Sequence, residues 1–192
     1  MFNKTDIFPS HLWTLDFDDH SEYKKSFVEG MYQLQSKIPS KQVSNNGGWQ
    51  SPNLGNSIPI PFMDPFFDYM FTRFGEIFQE GSRISIINMW ANINPPGSSN
   101  LLHCHPGADY VGTFYILAPN DSGDLTLISP NLCSQASYLY SSSHAQSCEN
   151  YHISPEEGMF LMFPSNIYHC VGENKSNDNR ISLAINFNIV HP

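Results

Sequence analysis

An α+β, mainly β fold is predicted for this chain: an antiparallel sandwich or barrel whose N-terminal helices pack on one sheet. Three observations predict it. Apolar residues recur at helical spacing only before Ser82, they alternate with polar residues from Ser82 onward, and the alternating runs are short and bounded by Gly, Pro and Asn. No repeat of fixed period occurs. A length of 192 residues fits one domain, 1–192, with a helical N-terminal part at 1–81 and a β-sandwich core at 82–192.

The first helix is expected to open at a capping box made by Asp19 and Glu22. Tyr23, Phe27, Met31, Leu34 and Ile38 then fall on one helical face, and Pro39 stops the run. A loop rich in Asn, Gly, Ser and Pro follows at 40–59. A second helix is expected from Pro61 or Asp64-Pro65 to Gly81, burying Phe66, Met70, Phe74, Ile77 and Phe78 as core contacts. Strands are predicted at 83–94, 111–118, 124–128, 138–140, 151–153, 158–163, 167–170 and 181–190. Pro119 to Gly123 has the length of a hairpin loop between two of these, and the Ser-rich stretch 137–147 reads as a surface loop or a poor strand.

Composition narrows the function. With 9 Lys+Arg against 18 Asp+Glu, the formal charge of −9 repels a phosphate backbone and argues against nucleic acid as a partner. No stretch approaches the roughly 18 apolar residues of a membrane span, and the N-terminus lacks a signal-peptide layout, so a soluble intracellular protein is expected. The four cysteines, Cys104, Cys133, Cys148 and Cys170, form no CxxC pair. Reduced thiols are expected, with a Cys133 to Cys148 bridge the alternative.

Three of the 8 histidines are suggestively placed. His103 and His105 stand two apart on an extended segment, so alternation turns both imidazoles to one face, where a metal could take both. Two polar residues at a strand end is the plainer alternative. His169 lies in a second run, Phe163-Pro-Ser-Asn-Ile-Tyr-His-Cys170. His11, His20, His144, His152 and His191 fall in no pattern and read as surface residues. Cys104 and Cys170 neighbour the histidines, but alternation points them away.

The last strand has two chemically different faces. Ile181, Leu183, Ile185, Phe187 and Ile189 should pack under the helices; Arg180, Ser182, Ala184, Asn186 and Asn188 then line the inside of the sandwich. A buried arginine there needs an anionic partner, and with a serine two residues on it forms a natural clamp for a ligand carboxylate. A salt bridge to Asp178 or a distant carboxylate is the alternative.

Taken together, His103-x-His105, His169 and Arg180-x-Ser182 resemble the iron(II)- and 2-oxoglutarate-dependent oxygenases. The likeness extends to a small bacterial and phage group of that superfamily through Gly48-Trp-Gln-Ser51, Trp90-Ala-Asn92, Pro96-Gly-Ser-Ser-Asn100, Phe114-Tyr-Ile-Leu117, Ser122-Gly-Asp-Leu125, Gly158-Met-Phe-Leu-Met-Phe-Pro-Ser165 and Arg180 to Asn188. The resemblance implies a double-stranded β-helix (jelly-roll, cupin-like) and an Fe(II)-, 2-oxoglutarate- and O2-dependent dioxygenase. Such an enzyme hydroxylates a C–H bond of a protein or peptide side chain, or of a small molecule, with release of succinate and CO2.

By the same resemblance His103, His105 and His169 hold the metal, while Arg180, Ser182, Tyr115 and Asn92 contact 2-oxoglutarate. One departure stands out: the superfamily's carboxylate ligand is His105 here, giving an all-histidine triad, with Asp109 as the fallback carboxylate. The rivals are a three-histidine cupin-type dioxygenase that uses no 2-oxoglutarate, and a non-enzymatic phage-type β-sandwich. A homodimer in the cytoplasm of a bacterium or a phage-infected host cell completes the expectation.

Overall fold

The computed structural model describes residues 10–55, 58–130 and 150–190. Eleven strands and two α-helices follow one another in the order β1 (Trp13–Asp16), α1 (His20–Lys37), β2 (Asn45–Asn46), β3 (Trp49–Gln50), α2 (Asp64–Arg73), β4 (Arg83–Asn94), β5 (Ser99–His103), β6 (Tyr110–Leu117), β7 (Leu125–Ile128), β8 (Asn150–Ile153), β9 (Met159–Pro164), β10 (His169–Val171) and β11 (Arg180–Val190). They form a six-stranded sheet, β1-β9-β6-β11-β4-β3, and a five-stranded sheet, β2-β5-β10-β7-β8, with every pairing antiparallel. The mainly β architecture with helices on one sheet is as predicted. The N-terminal part is less purely helical than predicted, because β1, β2 and β3 all come from it.

α1 ends where the sequence requires: Ile38 turns to φ −123°, ψ 123°, since a residue before proline avoids the helical region. Its start differs from expectation. Asp19 makes no side-chain cap, because at φ −89°, ψ 12° it is not in the extended conformation that aims an N-cap carboxylate at the first amides. Its backbone carbonyl instead accepts from the amides of Glu22 and Tyr23. His20, expected at the surface, is buried, with its Nε2 donating to the Ile116 carbonyl at 3.0 Å and pinning α1 to the sheet. α2 stops at Arg73 and a 3₁₀ turn over Phe74–Glu76 replaces the expected continuation, leaving Ile77 exposed.

The helices cover the outer face of the six-stranded sheet. Phe66 stacks on Phe114 at 3.8 Å, Phe27 meets Phe114 edge-on, and Phe74 meets Phe187 edge-on. Ile181, Leu183, Ile185 and Phe187 of β11 are fully buried in this layer, as their alternation predicts. A smaller cluster with Val111, Leu125, Leu127, Leu161 and Phe163 fills part of the space between the sheets.

The 119–123 link is no hairpin. β6 and β7 belong to different sheets, so the chain crosses from one layer to the other at that point. Length alone cannot separate a hairpin loop from a sandwich corner. The predicted strand 138–140, the Ser-rich stretch, Cys133, Cys148, His144 and His191 lie outside the described residues.

Candidate metal centre

The five-stranded sheet assembles the histidines. β5 and β10 pair with His103 opposite His169, and His105, just past the end of β5, is held by its amide donating to the Ser165 carbonyl at 3.0 Å. Ring centroids are 4.3 Å apart for His103 and His169, and 5.0 Å apart for each of the other two pairs. The three ligand nitrogens lie within 4.8 Å of one another, a set that could hold a metal ion.

Each imidazole is oriented by its other nitrogen. His103 Nδ1 lies 2.6 Å from the Leu101 carbonyl, His169 Nδ1 lies 3.0 Å from the Ile167 carbonyl, and His105 Nδ1 lies 2.9 Å from Asn186 Oδ1. A carbonyl oxygen only accepts, so all three Nδ1 atoms carry the hydrogen and all three Nε2 atoms keep a lone pair. Asn186 is itself oriented, since its Nδ2 donates to Asn88 Oδ1 at 2.8 Å. His105 Nε2 is buried without a hydrogen-bond partner, an orphan that a metal would satisfy. Burial holds His169 down at about 3 and His105 at about 4, with the His103 charge adding to the effect at both, and burial also lowers His103. Neutral imidazole is the form that binds metal.

The six-stranded sheet supplies the opposite wall. Asn92 on β4, Ser182 on β11 and Tyr115 on β6 stand abreast, Ser182 opposite both of the others. Together with the histidines and Arg180 they line one cavity, and no Asp or Glu contributes to its lining. Arg180 is only 2% exposed. Its guanidinium donates to the carbonyls of Ser122 (2.5 Å) and Gly123 (3.2 Å), and no described carboxylate pairs with it, so the salt-bridge alternative is not realised. Gly123 is required there: at φ +95° it passes so close to the Gly172 carbonyl that a Cβ would collide with backbone. Burial lowers the Arg180 pKa, and burial raises the Tyr115 hydroxyl to about 12 against the pull of Arg180, so Tyr115 is a neutral phenol at physiological pH. Asn92 Oδ1 is buried and unpartnered.

The seven residues predicted from the sequence thus meet in one cavity. Asp109 does not join them: its Oδ2 accepts from the Ile189 amide at 2.8 Å, and it lies outside the cluster. Three further residues, to which the sequence alone gives no role, complete the site. Trp90 stacks on His105 at 5.4 Å and 14°, and Asn186 and Asn88 orient it. Asn186 was within reach, since it shares the Arg180 face of β11; Asn88 carries no signal until strand pairing is known.

A mixed polar and apolar lining without carboxylates, with three lone pairs and a buried cation facing it, fits a divalent metal together with a dicarboxylate. The family model described as "Putative 2OG-Fe(II) oxygenase" matches residues 88–186. No curated protein matches the chain in sequence. Among solved structures, a Pseudomonas putida prolyl-4-hydroxylase superposes with a TM-score of 0.59 at 13% identity, covering 93% of this chain and 92% of the other. A Trichoplax adhaerens prolyl hydroxylase in complex with a hypoxia inducible factor peptide superposes at 0.64 with 14% identity, covering 92% and 82%. HygX from Streptomyces hygroscopicus, with nickel and 2-oxoglutarate bound, superposes at 0.65 with 10% identity, covering 93% and 83%. At these identities the likeness speaks to the fold, the double-stranded β-helix. The family match spans more than half of the chain and includes all three histidines and Arg180, so the chain belongs to the 2OG-Fe(II) oxygenase family, enzymes that use Fe(II), 2-oxoglutarate and O2.

Proposed function

We propose that His103, His105 and His169 hold Fe(II) through their Nε2 atoms, and that Arg180 and Ser182 hold the far carboxylate of 2-oxoglutarate, flanked by Tyr115 and Asn92. When bound, the iron with 2-oxoglutarate and O2 supplies the oxidant, one oxygen atom entering a substrate C–H bond and the other ending in succinate as CO2 leaves. The observation that carries the assignment is the shared tautomer of the three histidines, each donating through Nδ1 to a carbonyl, beside a buried arginine with no carboxylate partner.

The chain's own part is positional. Three oriented imidazoles leave other coordination positions open. Arg180, held by two backbone carbonyls, fixes the depth at which a carboxylate binds, and Tyr115 stays protonated and able to donate. The primary substrate is a C–H bond of a protein or peptide side chain, or of a small molecule. Cytoplasmic location is part of the same reading, and the free, half-buried thiols of Cys104 and Cys170 suit a reducing compartment.

The test is consumption of 2-oxoglutarate. Protein reconstituted with Fe(II) should convert 2-oxoglutarate to succinate slowly without any added substrate, in a reaction that needs O2. Stoichiometric iron with no succinate would favour a three-histidine dioxygenase that uses no 2-oxoglutarate.

A further inference from the structure

A second cleft of about 300 Å³ adjoins the same histidines, sharing Ser44, Trp90, His103 and His105 with the first. The two cavities repeat one chemical pattern. The first holds one unpaired cation, Arg180, and one buried amide oxygen without a partner, Asn92 Oδ1. The second holds one cation, Lys41, and one buried amide oxygen without a partner, Gln50 Oε1. No carboxylate lines either, although the chain carries 18 acidic residues against 9 Lys and Arg.

Lys41 and Gln50 are fixed side by side, the Lys41 amide donating to the Gln50 carbonyl at 2.8 Å. Lys41 is exposed, and no described carboxylate pairs with it. Gln50 is 5% exposed on β3, the edge strand beside β4. An unsatisfied buried acceptor costs free energy unless a donor reaches it. One ammonium without a second cation matches a singly charged carboxylate rather than a phosphate dianion, which would gather more donors.

We infer that this cleft binds the primary substrate, and that the substrate is a small organic carboxylate bearing an N–H or O–H donor, its carboxylate on Lys41 and its donor on Gln50 Oε1. The inference rests on the metal and 2-oxoglutarate assignment above for calling this ligand the substrate; the binding itself does not. His103 and His105 line this cleft as well, so such a molecule would lie beside the histidines proposed to hold the metal.

Saturation-transfer NMR with three matched probes tests it, in the presence of diamagnetic Zn(II) and excess 2-oxoglutarate so that the Arg180 cavity is filled. N-acetylglycine carries both groups, its methyl ester lacks the charge, and N-acetylsarcosine lacks the N–H. N-acetylglycine should bind tightest, with the ester weaker by about fivefold, the scale of one exposed charge pair. Lys41→Met should abolish the difference between acid and ester, and Gln50→Met the difference between N-acetylglycine and N-acetylsarcosine. Lys41→Met at an exposed position keeps the test open if Gln50→Met fails to fold. Equal binding of acid and ester to the natural protein, or displacement of the probe by 2-oxoglutarate, would overturn the inference. Metal and 2-oxoglutarate binding are measured on the same samples: if neither binds while the probes discriminate as stated, the function proposed above fails and the cleft stands.

Discussion

The two faces of the six-stranded sheet are made by the same strands yet solve opposite problems. On the outer face Phe114, Leu183, Ile185 and Phe187 are buried against Phe27, Phe66 and Phe74 of the helical layer, and the buried His20 ring beside them has its partner in the Ile116 carbonyl. On the inner face the very next residues include Tyr115, Ser182 and Ala184, and the cavity they line retains Asn92 Oδ1 and His105 Nε2 as buried atoms without hydrogen bonds. Period-2 alternation therefore divides the labour residue by residue: the outer face contributes stability, and the inner face keeps unsatisfied polar groups that are costly in the empty protein and useful with ligands present.

If that division holds, substitutions on the two faces should have separable effects. His169→Ala should have the largest, abolishing stoichiometric iron by elemental analysis while circular dichroism remains that of the natural protein. Phe66→Ala, which removes the ring stacked on Phe114, should cost about 3–5 kcal/mol in denaturant unfolding and leave iron stoichiometry unchanged below the transition. Arg180→Ala should weaken 2-oxoglutarate by about 2–5 kcal/mol, read by titration calorimetry, and spare iron.

Acid sharpens the comparison in the metal-free protein. The folded pKa values of His105 and His169 are lowered to about 4 and about 3, so the unfolded chain binds protons first as pH falls through the ordinary value near 6.5. Their stabilising contribution is complete above that value and is lost progressively on the way down. Unfolding free energy should drop by roughly 1–2 kcal/mol per histidine between pH 6.5 and 5, and a flat profile would contradict the neutral triad. The smallest effect is expected from Asn186→Ala, which frees the His105 ring: metal affinity should fall about 10- to 100-fold, and Asn186→Asp should restore part of it by accepting the same Nδ1 hydrogen.

How much of this was legible follows from the range of the signals. Alternation along 83–94 and 181–190 specified both long strands and which face of β11 is apolar, because that signal lies within one segment. The cluster of His103, His105 and His169 was reachable from spacing joined to a family likeness. The two-residue strands β2 and β3 carry no period at all, and their pairing depends on partners some fifty residues away in sequence, Ser99 and Asn100 for β2 and Asn92 and Ile93 for β3. The corner at 119–123 looked like a hairpin because both have the same length and turn residues. The burial of His20 is hidden for a related reason: a lone histidine at a helix start gives no hint that Ile116 will stand over it.

Three histidines and Arg180 are proposed above to form one iron and 2-oxoglutarate site. Anaerobic reconstitution with Fe(II), followed by titration of 2-oxoglutarate while recording the visible charge-transfer absorption of the chelate, tests it most directly. A band should appear that saturates at one equivalent in the natural protein, is absent in His169→Ala, and needs far more 2-oxoglutarate in Arg180→Ala. Iron bound at one equivalent with no band at any 2-oxoglutarate concentration would contradict it.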